Sequence, residues 1–468
     1  MIKVLTAEQM READRRTIES GIPGLILMEN AACRVVDFLV ERYSPLDAHR
    51  ILIVCGKGNN GGDGLAIARQ LHTRFRPRSL RVALVADPHE LSGDALTNYQ
   101  MYIAAGGELS SQPDASTTLI VDALFGSGLR GPVTGASLDW IRRMNTGFAN
   151  ARIVSVDIPS GLIEGGESVQ AHHTVTFAAP KIQMLNDAVG EMIVARIGIA
   201  DSLLDVSNIA ISELSDFAFL LAPRATNSHK GSYGHVLVAG GAPGKSGAAA
   251  MAGLAALRAG AGLVTVASSD ATGFAHELMS TPLGPTLPLE RKTVLAIGPG
   301  MGNDPAMVQL IRQSVRDAQM PVVIDADGLN ALTATPWPAD TPPRILTPHP
   351  GEMARLCEIS GDRIADARGL AQRWNCCVVL KGNRTVIALA DGDVFVNPTG
   401  SPAMAKAGSG DILTGVIAGL IAQFPSQWQL AVRCAVYLHG RAGELAAKDL
   451  GDKAVLATDL LRYLYADL

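Results

Sequence analysis

Short runs of aliphatic and β-branched residues recur along the chain. Each is followed by a glycine-rich turn and then by an Ala- and Leu-rich stretch with helical spacing. Strand, turn and helix repeated in this order predict parallel sheets flanked by helices. In the first half, the runs at 51–55, 80–86, 118–122, 152–157 and 174–177 predict strands. Several end in a carboxylate or a Gly turn, and ligands of open α/β sheets gather at the carboxyl ends of strands. Thr6 and Gln9 have capping-box spacing and open a first helix; a second follows the turn Gly21-Ile22-Pro23-Gly24. In the second half, strands are expected at 235–239, 263–267, 294–297, 322–325, 378–380, 385–389 and 394–396. Residues 201–220 between them carry no glycine-rich turn, so the domain boundary is expected near 215, giving domains 1–215 and 216–468. The Pro-rich stretch from Thr335 to Pro343 predicts a loop of the second domain.

Length agrees with two domains: 468 residues exceed one ordinary core, since domains usually hold about 100–200 residues. With 47% hydrophobic and 18% charged residues, the chain reads as globular rather than disordered. A net charge of −5 and the lack of a basic stripe argue against nucleic acid as partner. The basic run RFRPRSLR at 74–81 reads as a solvated loop before a strand. Six scattered cysteines show no CxxC pair and no zinc spacing, so reduced thiols are expected. The polar N-terminus shows no apolar leader, and the apolar run 412–422 is too short to span a bilayer, which needs about 20 residues. A cytoplasmic protein with no membrane partner is expected.

Three first-half segments sit at predicted strand ends. The turn Gly56-Lys57-Gly58-Asn59-Asn60-Gly61-Gly62-Asp63-Gly64 joins a strand to a helix. That arrangement points backbone N–H groups and a helix N-terminus at a phosphate. Its spacing is not the GxGxxG of dinucleotide sites. The segment Val121-Asp122-Ala123-Leu124-Phe125-Gly126-Ser127-Gly128-Leu129-Arg130-Gly131-Pro132 sets a second flexible loop after a strand-end carboxylate. The third is Val156-Asp157-Ile158-Pro159-Ser160-Gly161. Two strand-end aspartates, each followed by Gly or Ser, suggest one shared site. Lys181 follows another strand and either joins that site or is a surface lysine.

These segments, with TAEQMREAD and PGLILMENAA, occur in the order that resembles the N-terminal domain of the YjeF family, the NAD(P)H-hydrate epimerases. The resemblance covers roughly residues 1–198 and implies a Rossmann-like three-layer α/β/α domain. It implies that Asn60, Asp122 and Ser160 hold a potassium ion. It further implies that Asn59, Asn60, Gly61, Gly62, Asp63, Gly126, Ser127, Gly128, Leu129, Arg130, Gly131 and Pro132 contact the substrate, with catalytic Asp157 at the reacting ring. Oxygen donors suit a hard cation.

The second half carries GAGLVTVA, AIGPGMG, VVIDADGLN, LTPHPGEM, LKGNRT and NPTGSPAMAKAGSGDILTG. The Gly244-Lys245-Ser246 triplet is not a P-loop, because only three residues separate Gly240 from Gly244 where four are required. In the last segment, the amides of Gly408, Ser409 and Gly410 precede an apolar helix and predict an anion hole backed by the helix dipole. Asp411 at that helix start is placed to take a proton from a hydroxyl under phosphorylation. His349, between two prolines, is either a site residue or part of a tight turn.

The set resembles the ribokinase-like superfamily, and within it the ADP- or ATP-dependent NAD(P)H-hydrate dehydratases, over roughly residue 222 to the end. The resemblance implies a ribokinase-like α/β domain. It implies that Lys381, Gly382, Asn383, Arg384, Thr385 and Gly410 bind the adenine nucleotide, with magnesium on its phosphates. Ala261, Gly302, His349 and catalytic Asp411 would face the hydrated nicotinamide. Arg384 and Lys406 depart from the family's usual smaller residues. The whole chain is thus expected to interconvert R- and S-NAD(P)HX and to dehydrate the S form with ADP. Its substrates would be NADHX, NADPHX and ADP, and a symmetric homo-oligomer is expected. Two alternatives stay open: a ribokinase-like small-molecule kinase with an accessory Rossmann-like domain, and a non-catalytic RNA-metabolism scaffold.

Overall fold

A computed structural model describes residues 1–110, 114–163, 165–185, 189–333 and 336–466. The chain divides into two compact units, Ile2–Ser207 and Asn208 onward. The division precedes residue 215 because Ile209–Ile211 is already a strand paired in parallel with Val394–Val396. Of the Pro-rich stretch, Thr335 lies outside the described residues, and 336–343 carry neither helix nor strand.

The first unit is built on a parallel sheet in the order Ser79–Leu84, Arg50–Cys55, Leu119–Ala123, Arg152–Val156, His173–Phe177 and Glu191–Ala195. Its central strands are largely apolar because helices cover both faces, with Asp122 and Ser155 the buried polar exceptions. Along Arg50–Cys55, Ile51, Ile53 and Cys55 pack with helices Gly24–Tyr43 and Asn59–Gln70, while Leu52 and Val54 pack with helix Gly135–Thr146. That alternation is the pleat of a strand expressed as two half-cores. Strand order reverses between Arg50–Cys55 and Leu119–Ala123, so their following loops diverge and open a crevice there. The Thr6–Gln9 capping box forms as the spacing predicts.

The second unit has a larger sheet, ordered Ile209–Ile211, Val394–Val396, Val386–Ala388, Cys377–Leu380, Arg344–Leu346, Val322–Ile324, Val294–Ile297, His235–Ala239, Leu263–Ser268 and Met279–Pro282. It is parallel from Met279–Pro282 to Cys377–Leu380, and Val386–Ala388 runs antiparallel to both its neighbours. Helix Ser409–Gln423 is apolar on every side, and residues 412–422 are all buried. It packs against the Ala-rich helix Ser246–Arg258 within one core. Among the described residues no helix is long and apolar enough to cross a membrane. The six cysteines are free.

Candidate active sites

In the first unit, a cavity of about 600 Å³ lies over the crevice. Its walls include Asn59, Asn60, Asp63, Gly126, Ser127, Gly128, Leu129, Arg130, Asp157 and Lys181. Helix Asn59–Gln70 starts at this wall and can do so only with glycine behind it. A Cβ on Gly61 would stand 1.8 Å from the Gly56 carbonyl oxygen. Gly61 and Gly62 therefore shape the turn from behind, Gly62 facing Met28 and Ala95, and Gly131 and Pro132 carry the second loop beyond the wall.

Asp157 follows strand Arg152–Val156 with φ +66°, a left-handed backbone that a non-glycine residue rarely keeps without local support. The support is Lys181, which is 1% exposed and ion-paired with the Asp157 carboxylate. Its ammonium also donates to Thr176 Oγ1 and the Phe177 carbonyl, both at 3.0 Å. Lys181 thus belongs to the site and is not a surface lysine. Asp63 is driven well above the usual carboxylate range by burial, and further by the charges of Asp157 and Asp14.

Asp122 lies beneath the loops, fully buried. Its carboxylate accepts from Ser155 Oγ (2.8 Å), the Ser160 amide (2.9 Å), Ser160 Oγ (2.5 Å) and the Leu124 amide (3.3 Å). Burial raises its pKa while these neutral donors oppose the rise. Asn60 Oδ1 faces Gly126 close by, and Asn60 Nδ2 is buried without a partner among the described residues. Ser160 thus sits on the buried Asp122 carboxylate, and its Oγ also accepts from the Phe125 amide at 2.8 Å, one residue before the Gly126 that Asn60 faces. No basic side chain pairs with the Asp122 carboxylate among the described residues. An oxygen-rich donor set of this kind fits a hard monovalent cation.

In the second unit, a cavity of about 920 Å³ opens beside the N-terminus of helix Ser409–Gln423. Gly408 caps that helix with φ +92°, and a Cβ there would stand 2.8 Å from the Met251 side chain. Asp411 lies in the first helical turn and lines the cavity with Gly410, His349 and the loop Lys381, Gly382, Asn383, Arg384 and Thr385. Burial raises Asp411 to about 6, the charge of Asp325 adds to the rise, and Lys381 opposes it. The loop is pinned from behind by Arg363, whose guanidinium donates to the Asn383 carbonyl at 2.6 Å.

Three residues absent from the expected set stand here. Asp325, 2% exposed, accepts from Lys381 Nζ at 2.6 Å and Thr414 Oγ1 at 2.8 Å. Glu352 lies 3.9 Å from Lys381. His439 reaches in from helix Trp428–Leu450 and sits 3.0 Å from the Ser409 carbonyl. Burial depresses its pKa to about 4, so the ring is neutral and its Nε2–H donates to that carbonyl. Asp325 carries the same signal as Asp122, a carboxylate closing an apolar strand; His439 carries none.

His349 caps a helix and also lines the cavity. Its Nδ1 accepts from the Glu352 amide at 3.2 Å as a helix cap, and its ring lines the cavity. Lys406 is among the residues lining the cavity, and its ammonium donates to the carbonyls of Lys453 (2.6 Å) and Val455 (2.7 Å). Gly302 is on the same edge of the sheet but outside the cavity wall, its amide donating to Asp327 at 2.8 Å. Ala261 must be corrected: it is not at this cavity. It precedes strand Leu263–Ser268, and its neighbour Gly260 faces Gln423 at the far end of helix Ser409–Gln423. At about 1.5 Å per residue that end is roughly 20 Å from Asp411. Strand starts and strand ends of a parallel sheet lie on opposite edges, which is why a glycine motif at a strand start misses the site.

Two family models match the chain: YjeF-related protein N-terminus over residues 24–183 and NAD(P)H-hydrate dehydratase over residues 236–465. A bifunctional NAD(P)H-hydrate repair enzyme of Moorella thermoacetica is 41% identical, over 98% of this chain and 96% of its own length. Proteins of the same description from Coxiella burnetii and Escherichia coli are 37% and 35% identical, covering 97% and 98% of this chain and 97% and 92% of their own. Among solved structures, an ADP/ATP-dependent NAD(P)H-hydrate dehydratase from Bacillus subtilis is 36% identical over 52% of this chain and 91% of that one, with a TM-score of 0.47.

Proposed function

The chain belongs to the family of bifunctional NAD(P)H-hydrate repair enzymes, and from that premise we propose how its two cavities divide the work. The first cavity interconverts the R and S hydrates of NADH and NADPH, and the second dehydrates the S hydrate. The observation that carries the proposal is the shared wall of the second cavity. Asp411, the glycine-flanked helix N-terminus and the Lys381–Thr385 loop all face one space large enough for a nucleotide beside a second ligand.

In that space ADP lies along Lys381, Gly382, Asn383, Arg384 and Thr385, with its phosphates at the Gly408–Gly410 amides. Asp411 takes the proton of the C6 hydroxyl as its oxygen attacks the β-phosphorus, and AMP leaves. The amides stabilise charge on the transferring phosphoryl group. Phosphate is a far better leaving group than hydroxide. The ring nitrogen then expels it, and loss of a C5 proton restores the dihydropyridine. Magnesium bound with the nucleotide would neutralise charge on its phosphates. Lys381, held by Asp325, supplies further positive charge.

In the first cavity, Asn59, Asn60 and the 126–130 loop bind the phosphates and sugars, and Asp157 meets the ring. A potassium ion held by Asn60, Asp122 and Ser160 would supply fixed positive charge beneath the two loops. Asp122 fits that role as a buried carboxylate held by neutral donors only.

The test follows the absorbance of reduced nicotinamide after ADP is added to a mixed hydrate sample, with AMP and phosphate measured alongside. Absorbance should return with one AMP and one phosphate released per ring restored. A stable phosphorylated product with no returning absorbance would instead establish a kinase.

A further inference from the structure

Asp14 plays no part in the chemistry above, yet it stands on the wall of the first cavity. Its helix, Ala7–Glu19, is tied to the segment that carries Lys181. The Leu5 amide donates to the Pro180 carbonyl at 2.9 Å, and the Ile182 amide donates to the Leu5 carbonyl at 3.0 Å. Leu5, Met10 and Ala13 then pack against Ala179. These ties hold Asp14 beside the ion pair of Lys181 and Asp157, close enough for all three charges to interact. Among the described residues the Asp14 carboxylate makes no hydrogen bond or ion pair of its own.

We propose that Asp14 and Asp157 form the acid–base pair of the epimerase cavity, with Asp14 the member that carries the proton to the C6 hydroxyl. The inference rests on the epimerase assignment of this cavity. Asp14 protonates the hydroxyl, the C6–O bond breaks with its electron pair, and water leaves. The N1 lone pair becomes the second bond of N1=C6. Water then adds to the opposite face of C6, that pair returns to N1, and Asp157 accepts the proton the water sheds. The proton passes back to Asp14, so nothing is consumed in a turnover.

Burial supports the assignment by raising Asp14 to about 6; Lys181 opposes the rise and Asp157 adds to it. A donor near the working pH exchanges protons most effectively. Asp63 lines the same cavity, and burial raises its carboxyl as well, with Asp157 and Asp14 adding to the rise and Lys181 opposing it. At the mouth stand the charges of Arg11, Lys57, Asp94 and Arg130.

The experiment uses the intact chain and a pure R hydrate without ADP, and measures the appearance of the S form by chromatography. Wild-type kcat should fall as pH rises through about 6, where Asp14 loses its proton. Asp14→Asn should lower kcat by at least about tenfold with little change in KM, and should lose that pH limb. Asp14→Glu should recover part of the rate together with the limb. The inference is overturned if Asp14→Asn keeps the wild-type kcat, or if rate is lost while the limb stays or the glutamate fails to rescue. A wild-type chain that leaves the R form unchanged defeats the epimerase assignment itself.

Discussion

Around the Gly408–Asp411 turn, burial sorts the titratable groups into fixed roles. His439 is pressed to about 4 and is locked neutral, a rigid donor to the Ser409 carbonyl. Asp411 is lifted to about 6, with Asp325 and Lys381 facing it. A base must be ionised to accept a proton, and a raised pKa means that it is protonated below that value. Dehydration of the S hydrate should therefore gain kcat/KM as pH rises through about 6 and level off above it. Asp411→Asn should remove the rise and lower kcat by about 10²–10⁴-fold, read as returning nicotinamide absorbance across a pH series. A profile that falls over the same range would rule out Asp411 as the base. Asp411 and Asp157 were legible in the sequence because each closes or opens an element beside glycines. Lys181 was only half legible, since nothing in FAAPKIQML tells a buried lysine from an exposed one. Asp14 was hidden by its own helix: its spacing speaks for amphipathicity and says nothing of what the polar edge meets.

The element that governs the second site is helix Ser409–Gln423. Gly415 and Gly419 let it lie directly on helix Ser246–Arg258, against Ala252, Ala255, Ala256 and Ala259. A Cβ on Gly415 would stand 2.0 Å from the Ala252 carbonyl oxygen, which a backbone atom cannot yield without moving the helix. Gly415→Ala should cost about 1–3 kcal/mol. For a unit of this size that lowers its melting temperature by roughly 2–12 °C. Calorimetry should find the loss in the transition that ADP shifts, with epimerisation of the R hydrate unchanged; an unaltered transition would mean that the helices separate at no cost. The apolar strands were read from the sequence to within a residue or two, because a parallel strand buried on both faces is an uninterrupted apolar run. Glu191–Ala195, Ile209–Ile211, Met279–Pro282 and Arg344–Leu346 were not. They are short, at sheet edges or polar in part. Arg344 is buried inside a three-residue strand, where its guanidinium bonds the carbonyls of Val315, Ala318, Met320 and Pro342. A pattern of hydrophobic positions cannot anticipate an arginine whose partners are main-chain oxygens from other elements.

At the scale of the whole molecule, the described residues that line each cavity come from one unit, for those of the first precede Asn208 and those of the second follow it. The two chemistries are then separable by single substitutions in the intact chain. With Asp157→Asn, the first cavity loses the carboxylate that pairs with Lys181, while Asp411 and the wall of the second cavity are untouched. Given a mixed hydrate sample and excess ADP, this variant should restore nicotinamide absorbance only as far as the S hydrate present at the start, and then stop. The R form left behind should be recoverable and should convert once wild-type protein is added. Asp411→Asn should behave in the opposite way: it should keep R and S in exchange and restore no absorbance. Heat-inactivated protein sets the rate at which the epimers exchange unaided. Should Asp157→Asn carry the whole sample to NAD(P)H faster than that background, Asp157 would not be the group that handles the ring. Should it stop at the S fraction, one chain is joining two independent steps whose only link is the hydrate that the first cavity releases and the second consumes.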